Sequence, residues 1–282
     1  MTETSNSFYT YTSHDIQKIA KQMPKNEVIA SDIQIQINHL VNIMNIYSNC
    51  SNKSHMYKTA RECTLQLICG YLNKITEKTY SSILTILKVL MRDHNNEKDL
   101  LLCGKHIFQI VSKDMFYAKL YSQLFYDLMQ EFELLNNIFH EQFRVYSQSF
   151  ETIQQYKSSS LNQEDEYEFQ REKDKRRTMA TFFIYVLDYN IPNMEPTLHY
   201  IIESLWKHID TYVHYEEHKD VVDEIFYLLY ILIIGMYSHK KDVSMYEDKI
   251  QFYLKSNPKD FKSFSHKARF KCMDIYDAMK TE

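Results

Sequence analysis

The sequence predicts an all-α protein, and three observations carry that expectation. Glycine and proline are scarce, three and four in 282 residues, whereas β-rich and doubly wound folds need both at hairpins, turns and phosphate loops. Apolar residues recur at three- and four-residue steps, as in Ile83, Ile86, Leu87 and Leu90, the spacing of one helix face. Strand-like alternation is confined to Ile33, Ile35 and Ile37, and that stretch continues at helical spacing through Leu40, Val41 and Met44.

Residues 1–25 are polar and rich in Ser and Thr and are expected to form a flexible tail. An additional N-terminal helical segment is expected over 26–55, ending in the polar break 48–54. From residue 56 onward, helical segments are expected over 56–74, 78–93, 97–112, 115–139, 141–157, 172–189, 195–213, 218–237, 243–255 and 259–280. Asn190, Pro192, Pro196 and Pro258 supply starts and stops between them. Residues 157–177 read as Ser-rich, then acidic, then basic, with no apolar face before Met179. They are expected to form an acidic internal loop near 158–172 that turns into a charged helix start. Helices joined by short links, at about 40 residues per pair, fit a HEAT-type solenoid of about five helix pairs over 56–282 better than a four-helix bundle.

Composition removes several functional classes. With 44% hydrophobic and 14% aromatic residues the chain can build a core, which excludes wholesale disorder. A net charge of −4 does not coat nucleic acid by bulk attraction, so RNA contact would need a local basic face. The five cysteines, Cys50, Cys63, Cys69, Cys103 and Cys272, are odd in number and lack C-x-x-C spacing. They read as reduced intracellular thiols, and with no secretory leader in view a cytoplasmic location is expected. The most apolar run, Ile225 to Tyr237, falls short of the roughly 18–20 residues that span a bilayer and reads as a core helix. Heavy use of Lys, Asn, Ile and Tyr points to an AT-rich coding genome, that of a protist or a large DNA virus.

Catalytic signatures are weak. The phosphate-binding and nucleophile-elbow patterns are absent from the sequence, and three glycines could hardly build such loops. The run His214-Tyr-Glu-Glu-His218 fits H-x-x-E-H in letters. It falls at a polar junction between two expected helices, whereas the zinc motif needs both His on one helix face. No cofactor, no metal and no enzymatic activity are expected.

Four segments in order resemble the middle domain of eukaryotic translation initiation factor 4G. Leu72-Asn-Lys-Ile-Thr76 is similar to that family's L-N-K-L-T. Ile107 to Phe116, leading to Tyr121, is similar to I-F-x-K-A-x-x-E-P-x-F…Y-A. Arg176-Arg177 followed by Phe183-Ile-Tyr-Val-Leu187 resembles the R-R…F-I-G-E-L-F helix after an acidic insertion. Ser263 to Asp274 resembles the closing S-S-R-I-R-F-M-L-Q-D. The resemblance covers residues 56–280 and leaves out 1–55. Departures are Asp114-Met115 in place of E-P, Gln109 in place of a Lys, and the missing G-E.

The resemblance implies a curved stack of helix pairs that binds a DEAD-box RNA helicase of the initiation factor 4A type, with RNA and other initiation factors as further partners. It implies translation-initiation scaffolding in the cytoplasm. Two alternatives are an adaptor in nuclear cap-binding, decay or splicing complexes, and a structural or host-interaction protein that kept the fold but lost the helicase site.

Candidate helicase-binding residues are Asn73, Lys74 and Thr76 in one interhelical loop, and Lys113, Asp114 and Phe116 in the next but one. Loops at one edge are where helical stacks present binding groups, and an exposed aromatic at Phe116 would suit a partner anchor. Helix termination and capping is the competing reading for Asn73 and Thr76, and core packing for Phe108. Candidate RNA contacts come from two basic runs, Lys259, Lys262, His266, Lys267 and Lys271 in one and Arg171, Lys173, Lys175, Arg176 and Arg177 in the other, the second diluted by Glu172 and Asp174. Solvated helix faces are the plainer reading of both. Arg269 and Asp274, in a face taken as apolar through Phe264, Phe270 and Met273, are expected to form a structural ion bridge. Tyr200…Leu205-Trp206 and Tyr227…Leu232-Ile233 fit the family's Y-x-x-x-x-L-φ cap-binding-protein peptide in letters but fall inside expected core helices.

Overall fold

A computed structural model describes Val41 and residues 53–92, 97–150, 163–257 and 260–280; for residues 53–61, 63 and 163–165 only the backbone is described. The tail expected over 1–25, and all but Val41 and the last three residues of the segment expected over 26–55, lie outside the described residues. The chain divides into two compact units, Met1–Asn95 and Asn96–Glu282, so the segment 56–282 spans that division.

Ten α-helices and no strand occur among the described residues. The first unit holds α1 (Lys53–Leu72) and α2 (Tyr80–Arg92), packed on each other. The second holds α3 (Glu97–Val111), α4 (Ala118–Met129), α5 (Glu133–Gln148), α6 (Gln163–Val186), α7 (Met194–Tyr212), α8 (Lys219–Ser238), α9 (Glu247–Lys255) and α10 (His266–Lys280). In this unit the helices up to α8 pack on the next but one. One row runs α3, α5, α7; the other runs α4, α6, α8, α10. Sequence neighbours also pair, α3 with α4, α7 with α8 and α9 with α10. Helix α9 joins the first row through Tyr253, whose ring stacks on Trp206 of α7 at 5.7 Å and whose hydroxyl donates to Asp210 at 2.8 Å.

The core is aromatic. Phe108 meets Phe125 edge-on at 5.3 Å and Phe182 at 5.7 Å, tying α3, α4 and α6 together with the geometry ring quadrupoles favour. Two glycines sit where helices approach closely. A Cβ on Gly104 of α3 would lie 2.5 Å from a methyl of Leu135 on α5, and one on Gly235 of α8 would lie 2.6 Å from Cγ2 of Ile184 on α6.

The helix expected over 115–139 is two helices, broken at 130–132 where Phe132 is extended (φ −115°, ψ 96°). No Gly or Pro marks the break. Burial decides it: turning there lets α5 lie back on α3 and sink Leu135, Ile138 and Phe139, which together outweigh the few backbone hydrogen bonds lost. Asn136 Nδ2 repays one of them by donating to the Met129 carbonyl at 3.2 Å.

Helix α6 starts at Gln163, so helix takes in the last part of the segment expected as an acidic loop, while 158–162 lie outside the described residues. The charge pattern explains the early start. Arg171 pairs with Glu168 at 2.9 Å and Lys175 with Glu172 at 3.8 Å, both at (i, i+3), each worth roughly 0.2–0.5 kcal/mol on a helix surface.

Taken with its leading turn, Glu216–Ser238 is long and apolar enough to cross a membrane by length and composition, which the 13-residue run expected above is not. Its place is a core one, however, with α6, α7 and α10 packed around it and Ile225, Phe226, Leu228, Leu229 and Leu232 fully buried.

Candidate functional site

The first candidate loop follows α1. Ile75, 3% exposed, pins it to the first unit while Asn73, Lys74 and Thr76 are exposed. Thr76 and Thr79 cap each other: the Thr76 N–H donates to Thr79 Oγ1 at 2.8 Å and the Thr79 N–H to Thr76 Oγ1 at 3.2 Å, the reciprocal satisfaction a helix start needs. Thr79 Oγ1 also lies 2.9 Å from the Lys74 carbonyl, and the Asn73 amide reaches Cys69 Sγ at 3.7 Å. Thr76 and Asn73 therefore have structural work, which leaves Lys74 as the expected residue that this loop offers outward, beside exposed Glu77 and Lys78.

The second candidate loop joins α3 to α4. Ser112 closes α3 by donating to the Phe108 carbonyl at 2.7 Å. Asp114 then builds a tight turn, its Oδ1 accepting from the N–H of Phe116 at 2.9 Å and of Tyr117 at 3.2 Å. Its carboxylate is spent on the backbone, as Asp commonly is in turns. The turn holds Met115, Phe116 and Tyr117 outward, at 45%, 85% and 36% exposure. Phe116 rests edge-on against Tyr117 at 5.0 Å, and Lys113 stands exposed before it. An 85%-exposed phenyl ring costs hydration free energy that the isolated chain does not recover. Phe108, by contrast, is 2% exposed and belongs to the core.

The basic runs are split by the fold. Arg177, Lys267 and Lys271 come together with Lys173 in a cleft of about 510 Å³ bordered by α6, α8 and α10. Three carboxylates share that cleft, Asp220, Asp223 and Glu224. Arg177 is committed to Glu224, with Nε 3.1 Å from each oxygen, and Lys271 to Asp274 at 3.0 Å. Burial raises the Glu224 carboxyl above its ordinary value, with Arg177 opposing, and burial lowers Lys173. Lys262, His266 and Arg176 do not border the cleft, and Lys259 lies outside the described residues. Lys173 belongs to the second expected basic run; Asp220, Asp223 and Glu224 were not among the expected site residues. Their only trace in the sequence is a charged stretch leading into an apolar run, and the ion partner of Glu224 lies 47 residues away.

Two expectations about α10 change. Phe270 and Met273 are 62% and 42% exposed, so they are not an apolar inner face; that face is Ala268, Cys272 and Ile275. Arg269 and Asp274 are not paired with each other. The Arg269 guanidinium donates to the carbonyls of Leu254 and Ser256 at 3.0 and 3.2 Å, closing the C-terminus of α9 where such carbonyls lack helical partners.

An extended Tyr215 separates His214 from His218, which ends a short 3-10 turn, Glu216–His218, so the two do not share a helix face. His214 Nδ1 lies 3.2 Å from the Asp260 carbonyl. Among the described residues no group of three or more His, Cys, Asp or Glu is arranged to hold a metal ion. In both cap-peptide look-alikes the apolar pair is core: Leu205, Trp206, Leu232 and Ile233 are at most 1% exposed.

Compared with protein families, curated proteins and solved structures, the chain matches none.

Proposed function

We propose that this chain is a non-enzymatic scaffold of the HEAT type, similar to the middle domain of initiation factor 4G, that docks a DEAD-box RNA helicase of the initiation factor 4A type. The observation that carries the reading is Phe116, an 85%-exposed aromatic on a turn fixed by Asp114. A rigid, solvent-facing aromatic beside a cation (here Lys113) has the character of an interface anchor. The two-row packing of the second unit supports the repeat reading, because helix pairs that contact only their neighbours build such stacks.

Lys74 on the first unit and Phe116 on the second act as separate contacts. A scaffold that holds a helicase in its RNA- and ATP-competent state acts by its difference in affinity for the two states, and by no more than that. One observation favours the alternative of an adaptor in another RNP process with a different partner: Asp114, where the resembled family has a Glu-Pro pair, is spent on the turn.

The test is a binding titration of an initiation-type helicase against the wild-type chain and Phe116→Ala. Loss of binding by about 30-fold or more, the scale of an anchor residue, supports the docking edge. Equal binding by the variant overturns it.

A further inference from the structure

We propose that the cleft bordered by α3, α5 and α6 is a site for a free purine nucleotide, its base held among Gln109, Gln142 and Gln170 and its single phosphate at Lys113.

The cleft holds about 620 Å³, within the range of small-molecule sites. One face of α6 walls it, with Tyr167, Gln170, Arg171, Asp174 and Thr178 recurring at three- and four-residue steps. Phe108 of α3 and Met179 of α6, 2% and 8% exposed, supply an apolar floor. Tyr167 stands at the mouth, 68% exposed, a ring open to stacking.

The polar groups choose the ligand. The hydroxyls of the lining are already engaged: Ser112 donates to the Phe108 carbonyl at 2.7 Å and Thr178 to the Asp174 carbonyl at 2.9 Å. The amides are not. Gln109, Gln142 and Gln170, one from each helix, make no hydrogen bond among the described residues. An amide presents a donor beside an acceptor, the complement of a base edge, and glutamine pairs in this way with the amino group and ring nitrogen of adenine. A hydrocarbon ligand would strip water from three amides and pair none of them.

Charge sets the number of phosphates. Glu172 is answered by Lys175 at 3.8 Å and Asp174 by Arg177 at 4.0 Å, while Arg171 reaches Glu168 at 2.9 Å. Lys113 is the lining cation that makes no ion pair among the described residues. One unanswered cation suits one phosphate. A strand of RNA carries a charge on every nucleotide and would bring further phosphates to Glu172 and Asp174. A planar ring that stacks on Tyr167, pairs with the amides and carries one phosphate is a nucleoside monophosphate. This does not rest on helicase docking, since Phe116 does not line the cleft.

The experiment is isothermal titration calorimetry of the full chain, without a helicase. The titrants are adenosine, guanosine and uridine monophosphates, adenosine, ribose phosphate and an adenine-rich single strand of about 20 nucleotides. The result expected is saturable binding of a purine monophosphate, about tenfold or more tighter than uridine monophosphate or ribose phosphate. Lys113→Ala should weaken the purine monophosphate by about tenfold and leave the weaker binding of adenosine unchanged. Gln142→Leu/Gln170→Leu, melting as the wild type does, should weaken both. No saturable binding by either purine monophosphate, equal affinity for ribose phosphate, unaltered affinity in either variant, or tighter binding of the strand that Lys113→Ala abolishes would each overturn the proposal.

Discussion

Arg177 of α6 donates through Nε to both carboxylate oxygens of Glu224 of α8, at 3.1 Å each, with its guanidinium carbon 4.2 Å above the Tyr227 ring. Glu224 is 3% exposed, so a carboxylate has been drawn into the row of helices and answered by one cation. Removing one partner of such a pair leaves the other uncompensated, and Glu224→Ala is expected to cost about 3 kcal/mol in a denaturant melt.

The same pair has a pH signature. Burial raises the Glu224 carboxyl above 4.5, with Arg177 opposing. A group whose folded pKa is raised contributes stability that is full below its unfolded pKa and is lost as pH rises through the folded value. The contribution of Glu224 therefore declines as pH climbs from about 4.5, and Glu224→Gln removes that decline. Urea melts across that range should show wild type losing ground to the variant as pH rises. A difference that stays flat contradicts the assignment.

The three glycines of the chain should respond to alanine in different directions. Gly70 has nothing within 4 Å of a built Cβ, so Gly70→Ala should stabilise the first unit by about 0.5–1 kcal/mol through helix propensity. At Gly104 the obstacles are terminal methyls of Leu135 and Ile138, which can rotate away, and the net change should stay within about 1 kcal/mol. At Gly235 the obstacles are Cγ1 and Cγ2 of Ile184, close to a branched and stiff Cβ. Gly235→Ala should destabilise by about 1–3 kcal/mol. Thermal melts of the three variants order them; Gly235→Ala melting above Gly104→Ala would refute the close approach of α6 and α8.

Cysteine chemistry separates core from surface. Cys272 is fully buried, and desolvation pushes its thiol up to about 12, with Arg269 opposing. Cys103 is 2% exposed, while Cys69 is half-exposed. Thiolate is the reactive form, so alkylation followed by peptide mass spectrometry should mark Cys69 in the native protein. Cys103 and Cys272 should react only at the rate of unfolding. Fast native labelling of Cys272 would contradict the packing of α10 on α9.

Asp114→Ala tests whether the Phe116 loop is fixed from within. Losing the one oxygen that accepts from two N–H groups at a turn should cost about 0.5–2 kcal/mol. It should also weaken partner binding less than Phe116→Ala does, because the ring survives while its placement loosens. Paired melts and titrations of the two variants read this out, and an Asp114→Ala loss as large as that of Phe116→Ala would assign Asp114 a direct contact.

Much of the helical layout was legible because periodicity records burial. The expected 78–93, 97–112 and 195–213 correspond to Tyr80–Arg92, Glu97–Val111 and Met194–Tyr212. The break at 130–132 was not legible, since it depends on where α5 finds its partner and carries no Gly or Pro. The inner face of α10 was misjudged because its buried stripe is small, Ala268 and Cys272 with Ile275, while its bulkier Phe270 and Met273 point out. At the candidate site, Phe116 was expected at the start of the 115–139 helix, where an exposed aromatic would suit an anchor; its 85% exposure follows from the Asp114 turn, which delays the helix to Ala118. The charged cleft bordered by α6, α8 and α10 was not legible, because it brings together Arg177, Glu224 and Lys267, which no local pattern links.

The central claim is that this chain scaffolds a helicase, and the most direct measurement is the RNA-stimulated ATPase rate of an initiation-type DEAD-box helicase with and without it. Lys74→Glu/Phe116→Ala, shown to melt as the wild type does, is the control. The account predicts stimulation by the wild type that the double variant loses. No stimulation and no binding by the wild type, or equal stimulation by the variant, would contradict it.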